Sequence, residues 1–166
     1  MSSIVLIGFM GAGKTTVGKE LVKKGFELID TDAYIEACEK MSISDIFVQK
    51  GEDYFRQAET KALKTLLVQD KQFVISCGGG MPLREENRKL LKKLGMVVYL
   101  RIQPETVLAR LKGDTTRPLL KGDDSGERVR TLMKQREAHY LSDADFVLDV
   151  DQKTSGELAE EIFKEF

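Results

Sequence analysis

Residues 8–15 read Gly-Phe-Met-Gly-Ala-Gly-Lys-Thr, the G-x-x-x-x-G-K-[ST] spacing of a phosphate-binding loop. Its chemistry follows from the residue types. Glycines let the backbone turn its N–H groups inward, and the helix that follows adds partial positive charge at its N-terminus. The lysine reaches β- and γ-phosphates, and the threonine hydroxyl can ligate Mg²⁺. Such a loop belongs between a strand and a helix, and here a β-branched run, 4–7, precedes it while a helical pattern starts at Lys14. Gly11, Ala12, Gly13, Lys14, Thr15 and Thr16 are therefore the candidate triphosphate-binding residues.

A nucleotide site of this kind also needs a carboxylate near the metal. The run Phe73-Val74-Ile75-Ser76-Cys77 ends in none, but Asp30-Thr31-Asp32 closes the second predicted strand. One acid can hold the water shell of Mg²⁺ while the other faces an acceptor hydroxyl, the division that phosphoryl transfer requires. The competing reading is that Asp32 caps a helix beginning at Ala33, and both can hold together. Gly78-Gly79-Gly80 follows the third strand. Without side chains it lets a small ligand approach backbone amides.

Three arginines complete the set. In a helix from about 127 to 140, Val129, Leu132, Met133, Arg136 and Tyr140 share one stripe at helical spacing, which turns Arg136 toward the core. A guanidinium there demands a partner, either an internal carboxylate or an anionic ligand. Arg56 precedes Glu59 by three residues in another amphipathic helix, so the acid can orient it, and two held guanidinia make a fork for a planar carboxylate. Arg117 falls in the stretch 112–126, rich in Gly, Asp and Thr; such a stretch is a lid, a binding loop or plain disorder, and as a lid it could bring a charge to the γ-phosphate on closure. The residues together describe a phosphotransferase using ATP on a small hydroxylated acid.

The elements that must position these groups alternate. Strands are predicted at 4–7, 26–29, 73–76, 97–100 and 146–150, with helices between them at 14–24, stopped by Gly25, and 82–94, stopped by Gly95. Thr154 and Glu157 form a capping box for the last helix. The alternation implies a parallel sheet with crossover helices on both faces. At 166 residues, the chain has the length of one domain.

Composition excludes several function classes. Hydrophobic residues make up 42% and charged residues 32%, which is neither a disordered nor a membrane-embedded pattern. With 26 basic against 27 acidic side chains, there is no cationic excess for nucleic acid or an anionic membrane. Cys38, Cys77 and His139 cannot make a metal framework, and unpaired cysteines suit a reducing cytosol. The apolar start at Ile4 has no basic leader and reads as a strand rather than a signal peptide.

The ordered set GFMGAGKTT, DTD, GEDYFRQAE, SCGGG, TTRPLL and REAHY resembles the shikimate kinase family, and the likeness runs through nearly the whole chain. The resemblance implies transfer of phosphate from ATP to shikimate, giving ADP and shikimate 3-phosphate in aromatic amino-acid biosynthesis, by a cytoplasmic and usually monomeric enzyme. It implies a P-loop three-layer α/β/α fold of the nucleoside-monophosphate-kinase type, with a five-stranded parallel sheet. Lys14, Thr15 and Asp30 would serve the Mg-ATP phosphates and metal shell, with Ser76 beside a bridging water. Asp32 would face the acceptor hydroxyl, Arg56 and Arg136 the carboxylate, and Gly78, Gly79 and Gly80 the substrate. Arg117 would act from the lid and Arg110 against adenine. Two departures stand out. The late loop 151–154, with Lys153 as the candidate nucleotide contact, lacks the proline common over adenine, and Cys77 replaces a common threonine.

Rival readings are another small-metabolite kinase, such as a gluconate kinase, a nucleoside monophosphate kinase, or a non-catalytic ATP-binding regulator. An uncharged acceptor would not need the arginine fork. A nucleotide acceptor would need a larger base-binding segment between strands two and three. A regulator would be marked by loss of Asp32 or Arg117, and both are present. A GTPase is disfavoured, because no N-K-x-D motif occurs.

Overall fold

The computed structural model describes residues 2–112 and 125–166. Arg117 and most of the expected lid lie outside the described residues.

Strand β1 (Ser3–Ile7) is the middle strand of the sheet and is buried along its whole length. Successive side chains of a strand point to opposite faces, so a strand buried at every position must be covered on both sides. Strands β2 (Glu27–Asp30), β3 (Phe73–Ser76), β4 (Gly95–Arg101) and β5 (Phe146–Asp149) complete a sheet in the order β2-β3-β1-β4-β5. All four pairings are parallel. The chain leaves β1 toward β2 and leaves β3 toward β4, on the opposite side. The carboxyl ends of β1 and β3 therefore flank a topological switch point, where open α/β sheets bind ligands.

Helix α1 (Lys14–Val22) begins at once after the glycine loop. It closes two residues before the expected end, where the N–H groups of Lys24 and Gly25 donate to Leu21 and Val22 carbonyls at 2.9 and 3.0 Å. Strand β2 ends one residue later than expected, at Asp30, which makes this acid both strand terminus and N-cap. Helices α2 (Thr31–Glu39), α3 (Ile43–Lys50) and α4 (Glu52–Leu67) follow. They close over a small core of their own, formed by Ile35, Ile46, Phe55 and Ala62, separate from the main core against the sheet.

The expected helix at 82–94 is two pieces. A 3-10 turn (Met81–Leu83) carries Pro82, Arg84 is extended, and α5 (Glu85–Leu94) starts after it. Gly95 does not stop α5 through a left-handed turn; it is already the first residue of β4, with φ 165°. Its role is close approach, because a Cβ there would meet the Ser3 carbonyl oxygen at 1.8 Å. Helix α6 (Pro104–Leu111) and helix α7 (Ser125–Ser142) bracket the undescribed segment, and Gly126, assigned by sequence to the loop, belongs to the first turn of α7. Helix α8 (Ser155–Glu165) packs against α1, and its capping box is formed as expected, Thr154 Oγ1 accepting from the Glu157 N–H at 3.1 Å.

Candidate active site

The loop after β1 is held open by two left-handed glycines, Gly11 at φ 86° and Gly13 at φ 87°. A side chain at either would be strained. Gly13 is the N-cap of α1, no side chain caps that terminus, and its first turn holds no acid. The first N–H groups of α1 are thus kept for an anion. Lys14 is buried, and its Nζ donates to the carbonyls of Gly8 at 2.7 Å and Phe9 at 3.1 Å.

Register brings the next groups together. Asp30 pairs with Ser76 across β2 and β3, and Ser76 with Leu6 across β3 and β1, so three strand ends lie side by side. Thr15 Oγ1 donates to Asp30 Oδ2 at 2.8 Å and lies 3.0 Å from Ser76 Oγ. Since the single Thr15 proton goes to Asp30, the Ser76 hydroxyl is the donor to Thr15. Asp30 Oδ1 also accepts from the Ala33 N–H at 3.2 Å. Capping of α2 is therefore the work of Asp30, whereas Asp32 stands in the first turn, where it faces the cleft.

This loop and these strand ends line a cleft of about 630 Å³. Thr16, Arg110 and Lys153 line it too. Arg110 donates through Nη1 to the Gly11 carbonyl at 2.7 Å, which ties α6 to the phosphate loop. Lys153 stands at the rim, with its ammonium held 2.8 Å from Glu161.

A second cleft of about 610 Å³ adjoins the first, and the two share Met10, Asp30, Asp32, Gly78 and Gly79. Its far side is cationic. Arg56 donates through Nη1 to Glu59 Oε1 at 2.7 Å and through Nη2 to Glu52 at 3.3 Å, so the expected orienting acid is joined by a second one, a turn earlier on α4. Glu59 is fully buried, and its Oε2 has no hydrogen-bond partner among the described residues. Desolvation pushes its carboxyl up to about 7, although Arg56 and, more weakly, Arg136 pull the other way and Asp32 adds to the rise.

Arg136 is 4% exposed, yet no carboxylate among the described residues pairs with it. Its guanidinium lies over the Phe9 ring, Cζ 5.7 Å from the centroid. Among the described residues, no internal ion pair accounts for the burial of Arg136. Tyr140, one turn on, donates to the Gly79 carbonyl at 2.6 Å, and burial pushes its phenol up to about 12. Tyr140 is a site residue that the sequence shows only as a core position; its i,i+4 relation to Arg136 is the one available signal.

Each glycine of the tract lies against charged side chains, Gly78 against two and Gly79 and Gly80 against one each. A Cβ on Gly78 would stand 2.7 Å from Asp32 Oδ1 and 3.1 Å from Glu59 Oε2. On Gly79 it would stand 3.2 Å from Arg136 Nη1, and on Gly80 2.3 Å from Arg56 Nη1. Glycine is what lets Asp32, Glu59, Arg56 and Arg136 converge on one wall. Cys77, just before, is 1% exposed, and desolvation raises its thiol pKa, so it packs as a neutral side chain. Arg117 is the one candidate outside the described residues.

The geometry is that of a nucleotide cleft opening onto a small cleft lined by acid and guanidinium. The shikimate kinase family model matches residues 10–166. A shikimate kinase from Thermodesulfovibrio yellowstonii is 46% identical over 100% of this chain and 95% of its own length. The solved shikimate kinase from Acinetobacter baumannii in complex with shikimate superposes with a TM-score of 0.94 at 37% identity, covering 99% of this chain and 92% of that one. A deoxyadenosine kinase from M. mycoides with bound dATP, 22% identical over 98% of this chain and 99% of its own, has a TM-score of 0.60 and shares the fold. The phosphate loop, the switch-point clefts and these likenesses agree: the chain belongs to the shikimate kinase family.

Proposed function

We propose that the protein transfers the γ-phosphoryl group of ATP to the 3-hydroxyl of shikimate. The observation that carries this reading is the shared wall of the two clefts, where Asp32, Gly78 and Gly79 separate a phosphate loop from a guanidinium fork. ATP would lie with its triphosphate against Gly11, Ala12, Gly13, Lys14, Thr15 and Thr16, and its base toward Arg110 and Lys153. Shikimate would lie with its carboxylate on Arg56 and Arg136 and its 3-hydroxyl on Asp32, against the backbone of Gly78, Gly79 and Gly80. Planar guanidinia suit a planar carboxylate because each can donate two parallel N–H bonds.

The acceptor oxygen forms its bond to the γ-phosphorus as the bond to the β–γ bridging oxygen breaks, and ADP leaves. The hydroxyl proton passes toward Asp32. A loose transition state asks little of a base, so orientation of the hydroxyl by Asp32 supplies much of what is needed. Lys14 exchanges the Gly8 and Phe9 carbonyls for phosphate oxygens and neutralises charge as it develops. Arg117 would add charge at the γ-phosphate from the lid.

Beside the phosphate loop Thr15, Ser76 and Asp30 present three oxygen donors, Thr15 Oγ1 standing 2.8 Å from Asp30 Oδ2 and 3.0 Å from Ser76 Oγ. Hard oxygen donors with a single carboxylate fit Mg²⁺, which keeps several waters and takes its other ligands from substrate phosphates. When bound, the ion would screen charge on the phosphate oxygens; Thr15 would hold it directly and Asp30 through water. The reading carries with it a cytoplasmic monomer in aromatic amino-acid biosynthesis, without a nucleic-acid or membrane partner. No described helix is long and apolar enough to cross a membrane.

The test is the product. Incubation with Mg-ATP and shikimate should give ADP and a phosphate monoester in equal amounts, with the ³¹P coupling of the ester assigned to C3. Phosphorylation at another hydroxyl, or ADP release without an ester, would overturn the reading.

A further inference from the structure

Thr60 and Asn87 are buried polar side chains that line neither cleft. Thr60 lies on α4, one turn after Arg56, and Asn87 on α5. Asn87 Nδ2 donates to the Met81 carbonyl at 3.0 Å, which turns its Oδ1 toward Thr60, and the Thr60 hydroxyl stands 2.6 Å from that oxygen. The same hydroxyl lies 3.2 Å from the Arg56 carbonyl. Met81 in turn follows the glycine tract, its N–H donating to Gly78 O at 3.1 Å. The circuit closes through space, because Gly80 abuts the Arg56 guanidinium so tightly that a Cβ would lie 2.3 Å from Nη1.

We infer that Thr60 and Asn87 are positioning residues for the acceptor: their bridge fixes the Arg56 turn of α4 against the end of the glycine tract. The tract lies beyond the end of β3 and has no ladder there to set its distance from α4. Glu59 and Glu52 hold the guanidinium on α4, but it meets Gly80 only at the tip of a long side chain, and contact there alone would let α4 shift along the glycine backbone. The Thr60–Asn87 bond ties the two backbones together at the base of that side chain, so the carboxylate-binding end and the hydroxyl-binding wall keep one spacing. A buried amide and hydroxyl that satisfy each other hold a unique arrangement more strictly than apolar contact does. A bidentate carboxylate site tolerates little slack.

The inference rests on shikimate as the acceptor, so the experiment reads that separately. Steady-state kinetics with ATP and shikimate varied in turn are compared for wild type, Thr60→Val, Thr60→Ser and Asn87→Ala, with Tm measured for each. Thr60→Val keeps the shape and removes only the hydroxyl. The loss of one net hydrogen bond corresponds to roughly a three- to tenfold effect. Thr60→Val should raise the shikimate KM by about that factor, with the ATP KM within about twofold of wild type, and Thr60→Ser should restore it. Asn87→Ala, if it folds, should act in the same direction. An unchanged shikimate KM in Thr60→Val, an equal rise in both KM values, or a fall in Tm alone would make the pair merely structural and overturn the inference. A wild-type enzyme that turns over no shikimate would overturn the acceptor reading and this inference with it.

Discussion

At the scale of single residues, Glu59 carries two opposed demands. Burial disfavours the Arg56 cation too, yet the Glu59 and Glu52 carboxylates outweigh that and raise its pKa, while for Glu59 itself burial wins. The two results are consistent, because the pair favours both charged forms and only the carboxyl is wholly removed from water. With a folded pKa of about 7 against an ordinary value of 4.5, the folded state binds more protons than the unfolded state between these limits. The stability contributed by this group is therefore present at low pH and declines as pH rises through that window. Binding runs the other way, since the ionised acid holds Arg56. The shikimate KM should fall as pH rises from about 6 to about 8, with the ATP KM unmoved, and Glu59→Gln should flatten the slope. A KM that is level with pH in the wild type would remove Glu59 from this role. Arg136→Lys tests the other half of the fork. It keeps the charge and loses the bidentate geometry, so kinetics should show the shikimate KM raised about tenfold or more and the ATP KM little changed. The Arg56–Glu59 link was legible because helical spacing shows it directly. Glu52, four residues before Arg56 on the same helix, was open to that spacing argument too and was passed over, whereas Tyr140 was not legible, because its role depends on where α7 and the glycine tract meet.

At the scale of elements, pattern foretold the type of every strand and of the helices it singled out better than their ends, while α3 and α6 went unmarked. The break between the 3-10 turn and α5 escapes a periodic reading, since Pro82 is acceptable at the start of either helix type and nothing local marks the extended Arg84. Asp30 as N-cap of α2 was hidden for a related reason: two acids stand two residues apart, and only the end of β2 decides between them. Gly95 looked like a helix stop and is a packing glycine instead. With φ 165° its backbone suits any residue, so the cost of a side chain there is the clash alone, a Cβ 1.8 Å from the Ser3 carbonyl oxygen on the neighbouring strand. Relief requires β4 to move away from β1 at the start of their ladder. Gly95→Ala should destabilise the fold by about 2–4 kcal/mol in chemical denaturation, without selective change in either KM. A variant as stable as wild type would show that this strand start gives way easily.

At the scale of the whole molecule, the sheet order puts the phosphate loop, Asp30 and Ser76 at adjoining strand ends, and the small core of α2, α3 and α4 holds Arg56 opposite them. The nucleotide half was legible in sequence because its motif is contiguous. The proposed acceptor half was legible only as parts, since Asp32, Arg56, the glycine tract and Arg136 come from four separate elements. What no spacing reveals is that the two clefts share a wall. Because phosphate loop and guanidinium fork meet at that wall, acceptor choice is the decisive measurement: ADP release followed by a coupled assay with shikimate, gluconate and AMP as rival acceptors. A site built to pair with a substrate's polar groups rejects compounds that leave those groups unpaired, by factors well above those of apolar pockets. The kcat/KM for shikimate should be at least about 100-fold above that for gluconate or AMP. Equal or greater turnover of either rival, or ADP release at the same rate with no acceptor present, would contradict it.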